Sequence, residues 1–210
     1  MITDDARIVD AKACQLETWV KKNRDSTEYW ALPACNFTGN LELTFGGALG
    51  NDAEGTQTTD VVLQGKTLFK PLETNGWGIG LAVGTVRHPA INTDRNLIGD
   101  LYSYVPASFS FKENRFVLLT NFGWLHEKET NRHRMTWGLG SETQLAKRTW
   151  LIAETFGQHQ GKPFFQVGFR HWIMLNRIQI DTTYGSRFGT GSEEQWFSIG
   201  LRLLSPPFLP

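Results

Sequence analysis

Four of the five histidines in this chain, His88, His126, His133 and His159, fall between or at the ends of its patterned segments, near Asp94, Glu127 and Glu129. A histidine beside a carboxylate can take a proton from water or hold a metal ion. Solvated loop residues explain the same placement equally simply. Neither a Gly-x-Ser-x-Gly elbow nor a His-Glu-x-x-His helix occurs. No catalytic residue, metal ligand or cofactor is therefore assigned. Arg132-His133-Arg134 with Lys128 makes a small basic cluster that could grip lipopolysaccharide phosphates, or serve only as a solvated loop.

The second constellation is charged throughout: Glu42, Lys66, Glu142, Glu154, Arg170, Asp181 and Arg202. Two readings stay open for it. It is a constriction that selects permeants, as charged rings do in pores, or an ion-pair network that braces an interior.

The elements that hold these charges are strands. Apolar and polar or small residues alternate in Phe197-Ser198-Ile199-Gly200-Leu201-Arg202-Leu203-Leu204, and the pattern recurs along the chain with turn residues between repeats. Alternation gives a strand one apolar and one polar face. The predicted strands are 15–22, 27–34, 39–50, 57–70, 76–87, 102–112, 115–126, 133–146, 148–158, 163–175, 177–188 and 195–205, each long enough to cross a bilayer obliquely. Gly76-Trp77-Gly78-Ile79-Gly80 lies in one of them and lacks the helix a nucleotide loop requires.

The connections alternate as well. Short ones lie at 112–115, 146–148 and 176–177; longer polar ones lie at 51–56, 88–101, 127–132, 159–162 and 189–194. Short periplasmic turns and longer extracellular loops are how outer-membrane barrels are sorted. The fold class is thus all-β: a closed, antiparallel, up-and-down transmembrane barrel of about 12 strands, forming a single domain over 1–210. Residues 1–13 are expected as a periplasmic N-terminal segment.

Pairing the strands as hairpins turns Leu41, Phe45, Leu63, Phe69, Trp77, Phe109, Phe122, Leu139, Phe169 and Ile199 outward, among others. The same pairing sets Glu42 opposite Lys66, Thr44 opposite Gln64, Asp181 opposite Arg202 and Arg187 opposite Trp196, all facing inward. Gly78, Gly80, Gly84, Gly138 and Gly140 leave bare inward patches, where something else fills the lumen or a pore stays open. Val62, Leu119, Trp150, Phe156, Trp172, Trp196 and Leu204 also point inward. Interior filling, a path for apolar ligands and a misassigned face all remain open for them.

Lys plus Arg equals Asp plus Glu, which argues against nucleic acid as a partner. The chain opens Met1-Ile2-Thr3-Asp4-Asp5-Ala6, without a basic or apolar leader, and reads as a mature sequence behind a start methionine. Folding 15–34 as a hairpin brings Cys14 opposite Cys35, within disulfide reach; two unpaired thiols are the alternative. A disulfide implies an oxidising compartment.

By its dyad strands, sorted loops, aromatics and apolar last strand, the whole chain resembles a bacterial outer-membrane β-barrel. Its terminal Ser205-Pro206-Pro207-Phe208-Leu209-Pro210 departs from the usual aromatic ending. Gly39-Asn40-Leu41-Glu42-Leu43 and the twelve-strand count resemble the phenol-degradation (meta-pathway) outer-membrane channel family. The resemblance implies outer-membrane location and passive uptake of small, including hydrophobic, molecules. Lipid and lipopolysaccharide would be its surroundings, and oligomeric state stays open. The alternatives are a filled barrel with a structural or partner-docking role, and an outer-membrane hydrolase with its site at the extracellular rim.

Overall fold

The computed structural model describes residues 2–90, 98–189 and 194–209. Twelve strands form where the alternation predicts them: β1 (Cys14–Asn23), β2 (Thr27–Asn36), β3 (Leu41–Asp52), β4 (Gly55–Lys70), β5 (Trp77–Arg87), β6 (Asp100–Phe111), β7 (Phe116–Glu127), β8 (Arg132–Ala146), β9 (Thr149–Gln158), β10 (Phe164–Met174), β11 (Ile178–Arg187) and β12 (Trp196–Leu204). Each pairs antiparallel with the next, and β1 closes onto β12 with Gln15 opposite Leu204 and Asn23 opposite Trp196. Closure matters because an open sheet would leave an edge of unpaired N–H and C=O groups, intolerable in hydrocarbon.

The exterior is apolar. Phe45, Phe69 and Phe122 are 64%, 68% and 62% exposed, and Leu41, Leu63, Trp77, Phe109, Leu139, Phe169 and Ile199 continue the belt. In water so large a patch would drive association; in a bilayer it is the wetted face. His171, the polar interruption of the belt, sits near the end of β10 and holds Thr149 Oγ1 at 2.9 Å through Nδ1. That position keeps it off the membrane midplane.

The register agrees with the expected pairing at Glu42–Lys66 and Thr44–Gln64. It differs between β11 and β12, where Gln179, not Asp181, faces Arg202, and Gly185, not Arg187, faces Trp196. The shift is two residues, so every side chain keeps its face. Gly185 explains the choice: a Cβ there would come within 2.2 Å of the Trp196 indole. Arg202 finds its partners across the closing seam on β1 instead.

The 51–56 connection also differs from expectation. β3 and β4 continue to Asp52 and from Gly55, with Asn51 Nδ2 donating to Thr56 Oγ1 at 2.8 Å, so the predicted loop is a tight hairpin tip. Gly55 turns it with φ +122°, a conformation side chains avoid. Residues 91–97, with Asp94, and 190–193 of the expected long loops lie outside the described residues.

Cys14 and Cys35 form a disulfide at the rim that carries the short turns. They are 21 residues apart, so opening the ring should cost up to about 3 kcal/mol by loop-closure entropy. Cys35→Ser in detergent is expected to unfold at lower temperature than the wild type. An unchanged midpoint would mean that the β1–β2 ladder alone holds this end.

Candidate functional site: a lumen shared by a plug and a passage

The inward carboxylates outnumber the cations set opposite them, and the surplus is met by the N-terminal segment. Residues 2–13, expected as a periplasmic N-terminal segment, pack against side chains of the lumen. They enter the barrel at the short-turn rim and climb inside it. Glu154 accepts the N–H groups of Ile2 at 2.8 Å and Thr3 at 2.6 Å, and Glu42 accepts that of Val9 at 2.8 Å. Ser108 Oγ accepts from Ala6 N at 2.8 Å. An unpaired strand inside a barrel has no ladder to satisfy its backbone, so wall side chains must do so.

Side chains complete the seat. Lys66 Nζ lies 2.8 Å from the Asp4 carboxylate and 3.8 Å from Asp5. Tyr104 Oη donates to Asp4 at 2.8 Å, and the Asn121 amide brackets the Asp4 peptide at 2.8 and 2.9 Å. Arg7 bridges Asp5 at 2.9 Å and Glu142 at 3.2 Å. Gly138 gives the tip its room, since a Cβ there would meet Thr3 Oγ1 at 2.7 Å. At the base, Asn36 donates through Nδ2 to Val9 O at 2.8 Å and through its backbone to Ala13 O at 3.0 Å, beside the disulfide. Ala6, Val9 and Ala13 are buried.

The plug leaves part of the lumen open. Along β1, β2 and β10–β12 runs a cavity of about 540 Å³, lined from Gln15 and Gln179 near the turn rim to Lys21 and Glu28 near the loop rim. Arg202 Nε lies 2.8 Å from Gln15 Oε1 and 3.2 Å from Glu17 Oε1. Arg170 is paired with Glu142 and faces Asp181 on β11. A second cavity of about 640 Å³ lies above the plug tip, lined by Gln64, Tyr102, Phe156 and Lys162 among others.

The seven charged residues singled out in the sequence therefore divide. Glu42, Lys66, Glu142 and Glu154 touch the plug, and the first three also line the first cavity; Arg170, Asp181 and Arg202 line that cavity from β10–β12. The sequence reading missed the plug's Asp4, Asp5 and Arg7, together with Tyr104, Asn121, Gln15 and Glu17. Two signals were available: inward carboxylates without facing cations, and the bare strand at Gly138. Of the inward apolar residues, Leu119 is buried, while Phe156 and Trp196 line the passage.

The rim histidines do not converge. His126 and His133 approach each other, Nδ1 to Nδ1 at 3.3 Å, beside the Trp124 ring. By strand alternation all three face outward, where the belt meets headgroups. His159 Nδ1 accepts from Met135 N at 3.3 Å. Arg134 turns inward to Glu127, and Lys128 Nζ donates to Ile98 O at 3.1 Å, so the expected basic cluster is dispersed. Among the described residues, no group of three or more His, Cys, Asp or Glu side chains is placed to hold a metal ion.

His88 lies just beyond β5, its Nδ1 2.7 Å from Asp60 and its Nε2 3.7 Å from Asp100. The hydrogen bond to Asp60 raises its pKa above the usual 6.5; burial opposes this, and the charges of Asp60 and Asp100 reinforce it. A raised folded-state pKa means the tether contributes fully below about pH 6.5 and fades as pH climbs through the higher folded value. Amide protection around His88 is thus expected to be greater at about pH 6 than at about pH 9, after correction for intrinsic exchange. Equal protection would refute the tether.

Closure, the apolar belt and the polar lumen together define an outer-membrane β-barrel of twelve strands. The chain belongs to the family described as "Uncharacterised conserved protein UCP029691", whose family model matches residues 1–204. Its fold is similar to that of the KdgM porin, with TM-score 0.68 and 8% identity over 90% of this chain and 98% of that one. The NanC porin gives 0.63 and 8% over 90% and 98%. The COG4313 outer membrane channel from Pseudomonas putida F1 gives 0.58 and 14% over 95% and 97%. No curated protein matches the chain.

Proposed function

We propose that this barrel is a narrow outer-membrane channel through which small molecules pass by diffusion beside the fixed N-terminal plug. The observation that carries the reading is the single cavity lined from Gln15 to Lys21, nearly the full length of β1. Arg170, Asp181 and Arg202, with Glu17, form its constriction and set selectivity by balanced charge. Glu42, Lys66, Glu142 and Glu154 hold the plug in place. The charge along this wall favours polar or zwitterionic permeants over the hydrophobic ones that the phenol-degradation resemblance implies. Lipid, and lipopolysaccharide at the Trp124–His126–His133 edge, surround the exterior.

The reading supposes no chemistry at the rim, because His126 and His133 face lipid headgroups and not a cleft. A filled barrel serving only as a dock would lack the cavity beside the plug. Planar-bilayer recording of the purified chain tests the choice. Discrete conductance steps are expected; silence, with no solute leaving loaded liposomes, would favour the dock.

A further inference from the structure

The loop-side half of the passage carries an aromatic array that neither ion conduction nor plug seating uses. Trp19 and Trp30 stack across β1 and β2 with centroids 5.1 Å apart and planes 7° from parallel. Across the cavity, Phe164 lies 5.9 Å from Trp196 and 5.6 Å from Phe156. All five line the same cavity and all are only half-buried. The Arg187 guanidinium already covers one face of Phe164 at 4.4 Å, and the ring surface still left to lumen water is costly unless something covers it. Gly185 keeps open the space that Trp196 occupies.

Polar groups are interleaved with these rings. Glu28 accepts from Trp30 Nε1 at 2.9 Å and pairs with Lys21 at 3.2 Å. Lys21 Nζ stands 5.2 Å above the Trp196 ring, and Gln166 accepts from Trp196 Nε1 at 3.3 Å. Lys21 and Glu28 still reach lumen water, and a ligand that covered the rings with hydrocarbon alone would take that water from the pair. The suitable ligand has a flat C–H face for the rings and a polar edge for the carboxylate and ammonium. The charges around the rings are paired, so they give no net pull on an anion.

From this juxtaposition we propose that Trp19, Trp30, Trp196 and Phe164 form a binding subsite for uncharged pyranose sugars in the passage. A pyranose supplies axial C–H groups on one face and hydroxyls on its rim. The rings hold the sugar by its face, and Glu28 and Lys21 hold its hydroxyls. The subsite rests on the channel reading, for it lies in the proposed path.

The test is a titration with maltotriose, read by KCl current through bilayers and by intrinsic tryptophan fluorescence in detergent. Both readouts are expected to saturate together. Trp19→Ala with Trp30→Ala should raise the half-saturating concentration about ten-fold, the effect of losing one good aromatic contact. Trp19→Phe with Trp30→Phe should restore most of it. Tyr29→Ala, an outward aromatic on the same strand, is the control and should bind as the wild type does.

A steady KCl current that maltotriose neither blocks nor couples to fluorescence would overturn the subsite while leaving the channel standing. Saturable block by benzoate but not by maltotriose would also overturn it. A silent barrel whose fluorescence still saturates with maltotriose would uphold the subsite and sink the channel.

Discussion

Deleting residues 2–10 is expected to raise single-channel conductance about two- to three-fold, because conductance follows the open cross-section and the plug fills the side of the lumen facing β3–β9. The deletion also changes charge. It removes Asp4, Asp5, Arg7 and Asp10 and uncovers Glu42, Glu142 and Glu154, which then face Lys66 and Arg170 in water. The deleted segment carries three aspartates against one arginine, so the lumen loses a net two negative charges and selectivity should move away from cations. The barrel itself should persist, since the ladder closes through β1 and β12 without the plug and the disulfide lies outside the deletion. A deletion with unchanged conductance would mean that the segment does not occupy the lumen in a membrane.

The second large effect concerns Lys66. Its side chain is 4% exposed and sits between Asp4, Asp5 and the facing Glu42. Lys66→Met removes the cation and leaves the carboxylates around it uncompensated, at an expected cost of about 3–5 kcal/mol. Guanidinium unfolding in detergent, followed by tryptophan fluorescence, would measure it. The deletion background sharpens the result. Without Asp4 and Asp5, and with water in their place, the same substitution should cost much less, and the difference is the coupling between wall and plug. Equal losses in both backgrounds would show that Lys66 acts on the barrel alone.

Much of this architecture was legible because a strand has period two. Alternation fixed which residues wet lipid, and simple hairpin pairing found Cys14 opposite Cys35 and Glu42 opposite Lys66. An even slip is invisible to that reasoning. The β11–β12 register was misplaced by two residues because its determinant, the space at Gly185 for Trp196, is a packing fact. Arg202 was likewise given the wrong partner, since Gln15 lies 187 residues away across the closing seam.

The plug was illegible for a different reason. Residues 2–13 have no periodicity, and their hydrogen bonds run mainly to side chains on distant strands, such as Glu154 to Thr3. Seven charged residues could be assigned to the lumen from parity alone. Which of them would be covered and which left lining water depended on where that aperiodic segment settled.

Cysteine substitution tests most directly whether solute passes beside the plug. In an otherwise wild-type barrel, which has no free thiol among its described residues, Glu17→Cys would place a thiol in the passage and Ser108→Cys would place one behind the plug. A charged thiosulfonate added during bilayer recording should cut the current at once through Glu17→Cys and leave that through Ser108→Cys unchanged. Block at Ser108→Cys with none at Glu17→Cys would put the conducting path on the other side of the lumen and contradict the arrangement described here.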